Sequence, residues 1–77
     1  MMYSITIIPS AQKAIDKLGM LDAARVIKTI NALAQNPRPH GCVMLEGRTA
    51  WRVCAGDIRI LYDINDSELV VTVVKVA

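Results

Sequence analysis

The sequence predicts an α+β domain: one N-terminal strand, an antiparallel pair of helices, then a mainly antiparallel strand meander packed on the helices. Three observations predict it. Apolar residues recur at helical spacing only between residues 10 and 35. From Trp51 onward the period changes to two. Turn residues, Gly56-Asp57 and Asn65-Asp66-Ser67, divide that second half at strand-length intervals.

Tyr3 to Ile8 is rich in isoleucine and reads as the first strand, stopped by Pro9. Ser10 offers a hydroxyl to the free N–H groups of a helix start. Ala11, Ala14, Ile15 and Leu18 then form one apolar face, and Gly19 is a left-handed stop. Asp22 is the next cap candidate. Behind it Ala23, Val26, Ile27, Ile30, Leu33 and Ala34 make a second stripe, which fades before Pro37. Asn36 to Gly41 is a loop by composition. Val43 to Gly47 suits a short strand, followed by strands at Trp51–Ala55, Ile58–Ile64 and Leu69–Val76.

The turn at Gly56-Asp57 fixes which side chains share a face. With those two residues as the loop, Ala55 pairs with Ile58, Cys54 with Arg59 and Val53 with Ile60. Trp51, Val53, Ala55, Ile58, Ile60, Tyr62 and Ile64 then line one apolar face. A two-residue second turn adds Leu69, Val71 and Val73 to it. That face packs on the helices. The other face carries Arg52, Cys54, Arg59, Leu61 and Asp63, with Val70, Thr72, Val74 and Val76. It places Arg52 and Arg59 as diagonal neighbours within reach of one phosphate or carboxylate, a geometry that guanidinium forks match. The plainer alternative is a solvated face on which Arg59 pairs with Asp63 or Asp57, a contact worth little.

The rest of the composition mostly excludes. Seventy-seven residues make one domain, residues 1–77. A net charge of +2, from nine basic and seven acidic residues without a basic run, permits an anionic partner without requiring one. Two cysteines, Cys42 and Cys54, make no disulfide framework and fit reduced thiols in the cytoplasm. With His40, the only histidine, they fit no standard zinc spacing, so no metal and no cofactor is expected. No run approaches the ~18 apolar residues of a membrane span. Trp51 and Tyr62 read as core, and His40 as a loop residue.

The stretches "PSAQKAIDKL", "NPRPHGCVMLEG" and "WRVCAGDIRILYDINDSELVVTVVKVA" resemble the RelE/ParE superfamily of bacterial toxins over essentially the whole chain, most specifically at Trp51 to Tyr62. The wording looks closer to the RelE branch. The resemblance implies the toxin of a type II toxin–antitoxin pair: a metal-free, ribosome-dependent messenger-RNA endoribonuclease in which the ribose 2′-hydroxyl attacks the scissile phosphate. By position it assigns Arg52 and Arg59 to the catalytic face, and the loop arginine Arg48 is a candidate RNA contact. The partners it implies are a RelB-like antitoxin, the ribosome and messenger RNA, with promoter DNA reached only through the antitoxin. Departures favour an alternative, a non-nuclease binder: either a ParE-like gyrase inhibitor or an impaired toxin that mainly binds its antitoxin. Val43, Met44 and Glu46 replace basic residues common in relatives, and Cys54 replaces another. The sequence closes at Ala77, inside a strand pattern, where RelE-like relatives continue into a basic tail; a chain cut short or a shortened relative would each account for that.

Overall fold

The computed structural model describes residues 2–45 and 50–77. Seven elements follow in order: β1 (Ser4–Ile7), α1 (Pro9–Asp16), α2 (Met20–Leu33), β2 (Val43–Met44), β3 (Ala50–Ala55), β4 (Ile58–Asn65) and β5 (Val70–Val76). They build one five-stranded sheet in the order β1-β5-β4-β3-β2. The meander from β2 to β5 is antiparallel, while β1 returns beside β5 in parallel. The helix pair carries the chain from β1 across one face of the sheet to β2 at the opposite edge, and the meander then returns to β5 beside β1.

The helices start differently from the sequence reading. Proline has no N–H to waste and its φ is already helical, so Pro9 opens α1 rather than only ending β1, and Ile8 is the cap residue. Ser10 therefore lies inside the first turn and caps nothing. Gly19 caps α2 with an ordinary φ of −63° instead of terminating α1 in the left-handed region. Asp22 sits in the first turn of α2, where its charge favours the helix dipole by about 0.3–1 kcal/mol.

Packing follows the stripes with one exception. Ala11 and Ile15 from α1, and Val26, Ile30 and Leu33 from α2, are buried against Val53, Ala55, Ile60, Tyr62, Ile64, Val71 and Val73. Each large aliphatic side chain buried there contributes about 1.5–3 kcal/mol relative to exposure. Ile27, expected in the stripe, is 47% exposed. It lies one position past Val26, and the rotation of about 100° per residue carries it off the buried line.

The β3–β4 register is as the sequence predicts, including Ala55↔Ile58, Val53↔Ile60 and Cys54↔Arg59. Gly56 takes φ +63° while Asp57 keeps a negative φ, as a two-residue turn with glycine at its first central position requires. The β4–β5 connection differs. Asn65 pairs with Val70, so the turn is four residues, Asp66 to Leu69. Asn65 Oδ1 accepts from the Glu68 N–H at 2.9 Å, and Leu69 adopts φ +56° in the turn instead of joining the core face. A second difference is a β-bulge. Tyr62 pairs with Val73 but Leu61 pairs with Lys75, leaving Val74 extra. The alternation therefore slips by one, and Val76, expected on the outer face, is buried opposite Ile60.

Candidate anion-binding face of the sheet

Because both helices cover one side of the sheet, the other side of β3, β4 and β5 faces outward. Arg52 lies directly across from Leu61, and Cys54 directly across from Arg59. The two arginines are thus diagonal neighbours on the outward face, with backbones about 7–8 Å apart, a span that two guanidinium groups close easily around one anion. Arg52 is half-buried and Arg59 exposed. Among the described residues neither makes an ion pair or a side-chain hydrogen bond, so the pairing with Asp63 or Asp57 does not form. Two like charges held this close without a counter-ion repel, and an anion between them removes that repulsion. Arg48, the third candidate, lies outside the described residues.

The bulge adds a cation that strict alternation hides. Lys75, two residues after Val73, would fall on the apolar core face in an unbroken strand. That conflict was the available signal. Because Val74 is extra, Lys75 pairs with Leu61 and shares its outward face. At the other end of the face stands Asp63, paired with Ala50 and Thr72. Positive charge is thereby gathered toward the β3–β4 turn and negative charge toward the β4–β5 turn.

A second polar cluster lies at that far end, and the sequence gives no periodic hint of it. Arg38 donates through both terminal nitrogens to Asp66, at 3.2 and 2.9 Å. The Tyr3 hydroxyl donates to the same carboxylate at 2.7 Å. The Arg38 guanidinium also lies over the Trp51 ring, 5.2 Å from its centre. These contacts tie the loop after α2 to β1 and to the β4–β5 turn. The hydrogen bonds from Arg38, and then from Tyr3, hold the Asp66 carboxyl below its ordinary value. Beneath them Tyr62 is fully buried and donates to the Pro37 carbonyl at 2.7 Å. Burial pushes its hydroxyl pKa well up. With its charges already satisfied, this cluster is scaffold, and Trp51 and Tyr62 belong to it rather than to the arginine face.

His40 is exposed in the 36–41 loop and Cys54 is an exposed free thiol. Among the described residues, no three His, Cys, Asp or Glu side chains are grouped to hold a metal ion. No helix among them is long and apolar enough to cross a membrane.

A family model described as the ParE toxin of type II toxin–antitoxin system, parDE, matches residues 5–77. A comparison with curated proteins finds no match. Among solved structures, a chain of the archaeal RelE–RelB complex from Pyrococcus horikoshii OT3 is 26% identical, with a TM-score of 0.89 over 99% of this chain and 93% of that one. A chain of the intact E. coli RelBE toxin–antitoxin complex is 23% identical, with a TM-score of 0.85 over 97% and 94%. A chain of the RelBE2 complex from Mycobacterium tuberculosis is 22% identical, with a TM-score of 0.83 over 99% and 96%. At their identities the last two speak for the fold alone. The family match spans nearly the whole chain, and the helix pair on a β1-β5-β4-β3-β2 sheet is shared with RelE: the chain is a toxin of the RelE/ParE superfamily, belonging to the ParE toxin family of type II toxin–antitoxin systems.

Proposed function

We propose that this toxin is an endoribonuclease of the RelE kind, cleaving messenger RNA on the ribosome by attack of a ribose 2′-hydroxyl on the adjacent phosphate. The observation that carries the reading is the pair Arg52 and Arg59, diagonal on the outward sheet face and free of ion pairs among the described residues. In the proposed step the 2′-oxygen forms a bond to phosphorus and the bond to the 5′-oxygen breaks. The products are a cyclic phosphate and a 5′-hydroxyl, and the proton lost by the nucleophile is balanced by the one the leaving oxygen gains. Charge accumulates on the non-bridging oxygens, where Arg52 and Arg59 act. Donors fixed before the reaction are worth about 2.7–4 kcal/mol each in such a role. The face therefore works by charge stabilisation and positioning. Asp63, its only acidic side chain among the described residues, sits four residues from Arg59 on the same strand, about 13 Å away. The proposed partners are a RelB-like antitoxin, as in the matched complexes, with the ribosome and messenger RNA as targets.

Primer extension on translated messenger RNA tests this. Wild-type protein should produce cuts, and Arg59→Gln should slow them by about 10²-fold. The ParE description of the matching family model supports a second reading, the inhibition of DNA gyrase that resemblance to the ParE branch implies. Gyrase supercoiling blocked by wild-type protein, together with no cuts in translated message, would establish that reading instead.

A further inference from the structure

We infer that Lys75 is a third anion-binding cation of the arginine face, and that the face receives successive phosphates of a single-stranded polynucleotide rather than one isolated phosphate. The inference rests on the nuclease reading and adds the form in which substrate lies on the sheet.

The placement comes from the register. Leu61 of β4 has Arg52 opposite it on β3 and Lys75 opposite it on β5. Those two cations stand two strand spacings apart, about 10 Å. Arg59 lies one outward-facing position along β4 from Leu61. Its backbone exchanges both hydrogen bonds with Ala77, at 2.8 and 3.0 Å, so Lys75 is its diagonal neighbour on one side as Arg52 is on the other. The three cations form a triangle around Leu61 on the outward face. Among the described residues Lys75 makes no ion pair or side-chain hydrogen bond.

A phosphate held by Arg52 and Arg59 lies on the β3 side of Leu61, and Lys75 is left for the next one along. Between the charges the surface is apolar at Leu61. That order of charge, apolar patch and charge matches a chain in which phosphates alternate with sugars and bases. A single strand lies on an open sheet because its backbone bends to the surface and its bases are free to stack or splay. The direction of the track follows from charge: it crosses the strands near the β3–β4 turn, because Asp63 at the other end repels phosphate.

The cost of the bulge supports a role for Lys75. A regular strand with lysine at this position would bury an ammonium beside Val73 and Ile60, which costs several kcal/mol. The extra residue Val74 avoids that burial and delivers the charge to the face that carries both arginines.

Fluorescence anisotropy with a labelled single-stranded 2′-O-methyl oligouridylate, which cannot be cleaved, tests the inference over a range of salt concentrations. Lys75→Gln should weaken binding and reduce the slope of log affinity against log salt by about 0.7, the value of one phosphate contact on a single strand. Lys75→Arg should restore the slope. Lys13→Gln, on the helical side, should leave it unchanged. Arg52→Gln and Arg59→Gln should each lower it too, by less than one full contact because the two arginines share a phosphate. If those two lower the slope while Lys75→Gln does not, the inference fails and the nuclease reading stands. If none of the three lowers it, both fail. If Lys75→Gln weakens only the complex with the antitoxin and leaves the oligonucleotide slope unchanged, Lys75 serves a protein contact and the inference fails. Lys75 is exposed, and a circular dichroism spectrum matching wild type confirms that each variant compared is folded.

Discussion

Replacing Tyr62 by Phe removes one oxygen from the centre of the molecule, and the structure says what that costs. Tyr62 is fully buried and its hydroxyl donates to the Pro37 carbonyl at 2.7 Å. Pro37 is buried as well, so no water replaces the lost donor. Leaving a buried carbonyl without a partner costs about 1–3 kcal/mol. In a domain of this size, whose total stability is roughly 4–12 kcal/mol at the usual value per residue, that is a large share. Near 2 kcal/mol it corresponds to a fall in Tm of roughly 8–16 °C. Urea unfolding should show the loss as a lower midpoint at constant slope. The deficit also depends on pH. Burial raises the hydroxyl's pKa in the folded state above the ordinary 10.0, so the neutral group favours folding fully below about pH 10. That contribution is lost as pH climbs above 10 toward the folded-state value, because the unfolded chain then releases the proton more readily. The gap between wild type and Tyr62→Phe should narrow over that range. A variant as stable as wild type at neutral pH, or a gap that widens in alkali, would refute the reasoning.

Other perturbations have equally definite outcomes. Asp66→Asn should destabilise at neutral pH, and the difference from wild type should disappear on acidification below about 3.8, since a carboxyl with a lowered pKa stabilises above its ordinary value and ceases to as it protonates; thermal melts across that range check it. Deleting Val74 should be tolerated, although removing a residue inside a strand normally reverses every side chain beyond it. The deletion removes the extra residue of the bulge, keeps Lys75 outward and Val76 inward, and should leave a cooperative unfolding transition. Ile27→Lys should change stability by less than about 0.5 kcal/mol, because the side chain is already half in solvent.

Legibility in the sequence tracked the reach of the forces involved. The β3–β4 hairpin could be registered to the residue because a local device, Gly56 at positive φ, sets it and an apolar face confirms it. The buried stripes were readable for the same reason, with Ile27 misplaced by a single position. What failed was non-local or cooperative. Pro9 reads equally as a strand stop and a helix start until its neighbours decide. The four-residue turn hides because Leu69, a residue that rarely takes a positive φ, does so here, with its carbonyl accepting from the Ser4 N–H of β1 at 2.8 Å. The bulge hides because Val73-Val74-Lys75-Val76 alternates acceptably in either frame except for the charge. The Arg38–Asp66–Tyr3 cluster joins positions up to 63 residues apart, and no pattern within a window reports it. The arginine face was therefore found through a local turn, and its third cation was missed through a distant register shift.

A double-mutant cycle on the rate of messenger-RNA cleavage tests most directly whether Arg52 and Arg59 serve one phosphate. With wild type, Arg52→Gln, Arg59→Gln and the double variant, shared action on one transition state predicts that the second substitution costs far less in the absence of the first, with a coupling of about 1 kcal/mol or more. Strictly additive losses, or a double variant that cuts as fast as wild type, would contradict it.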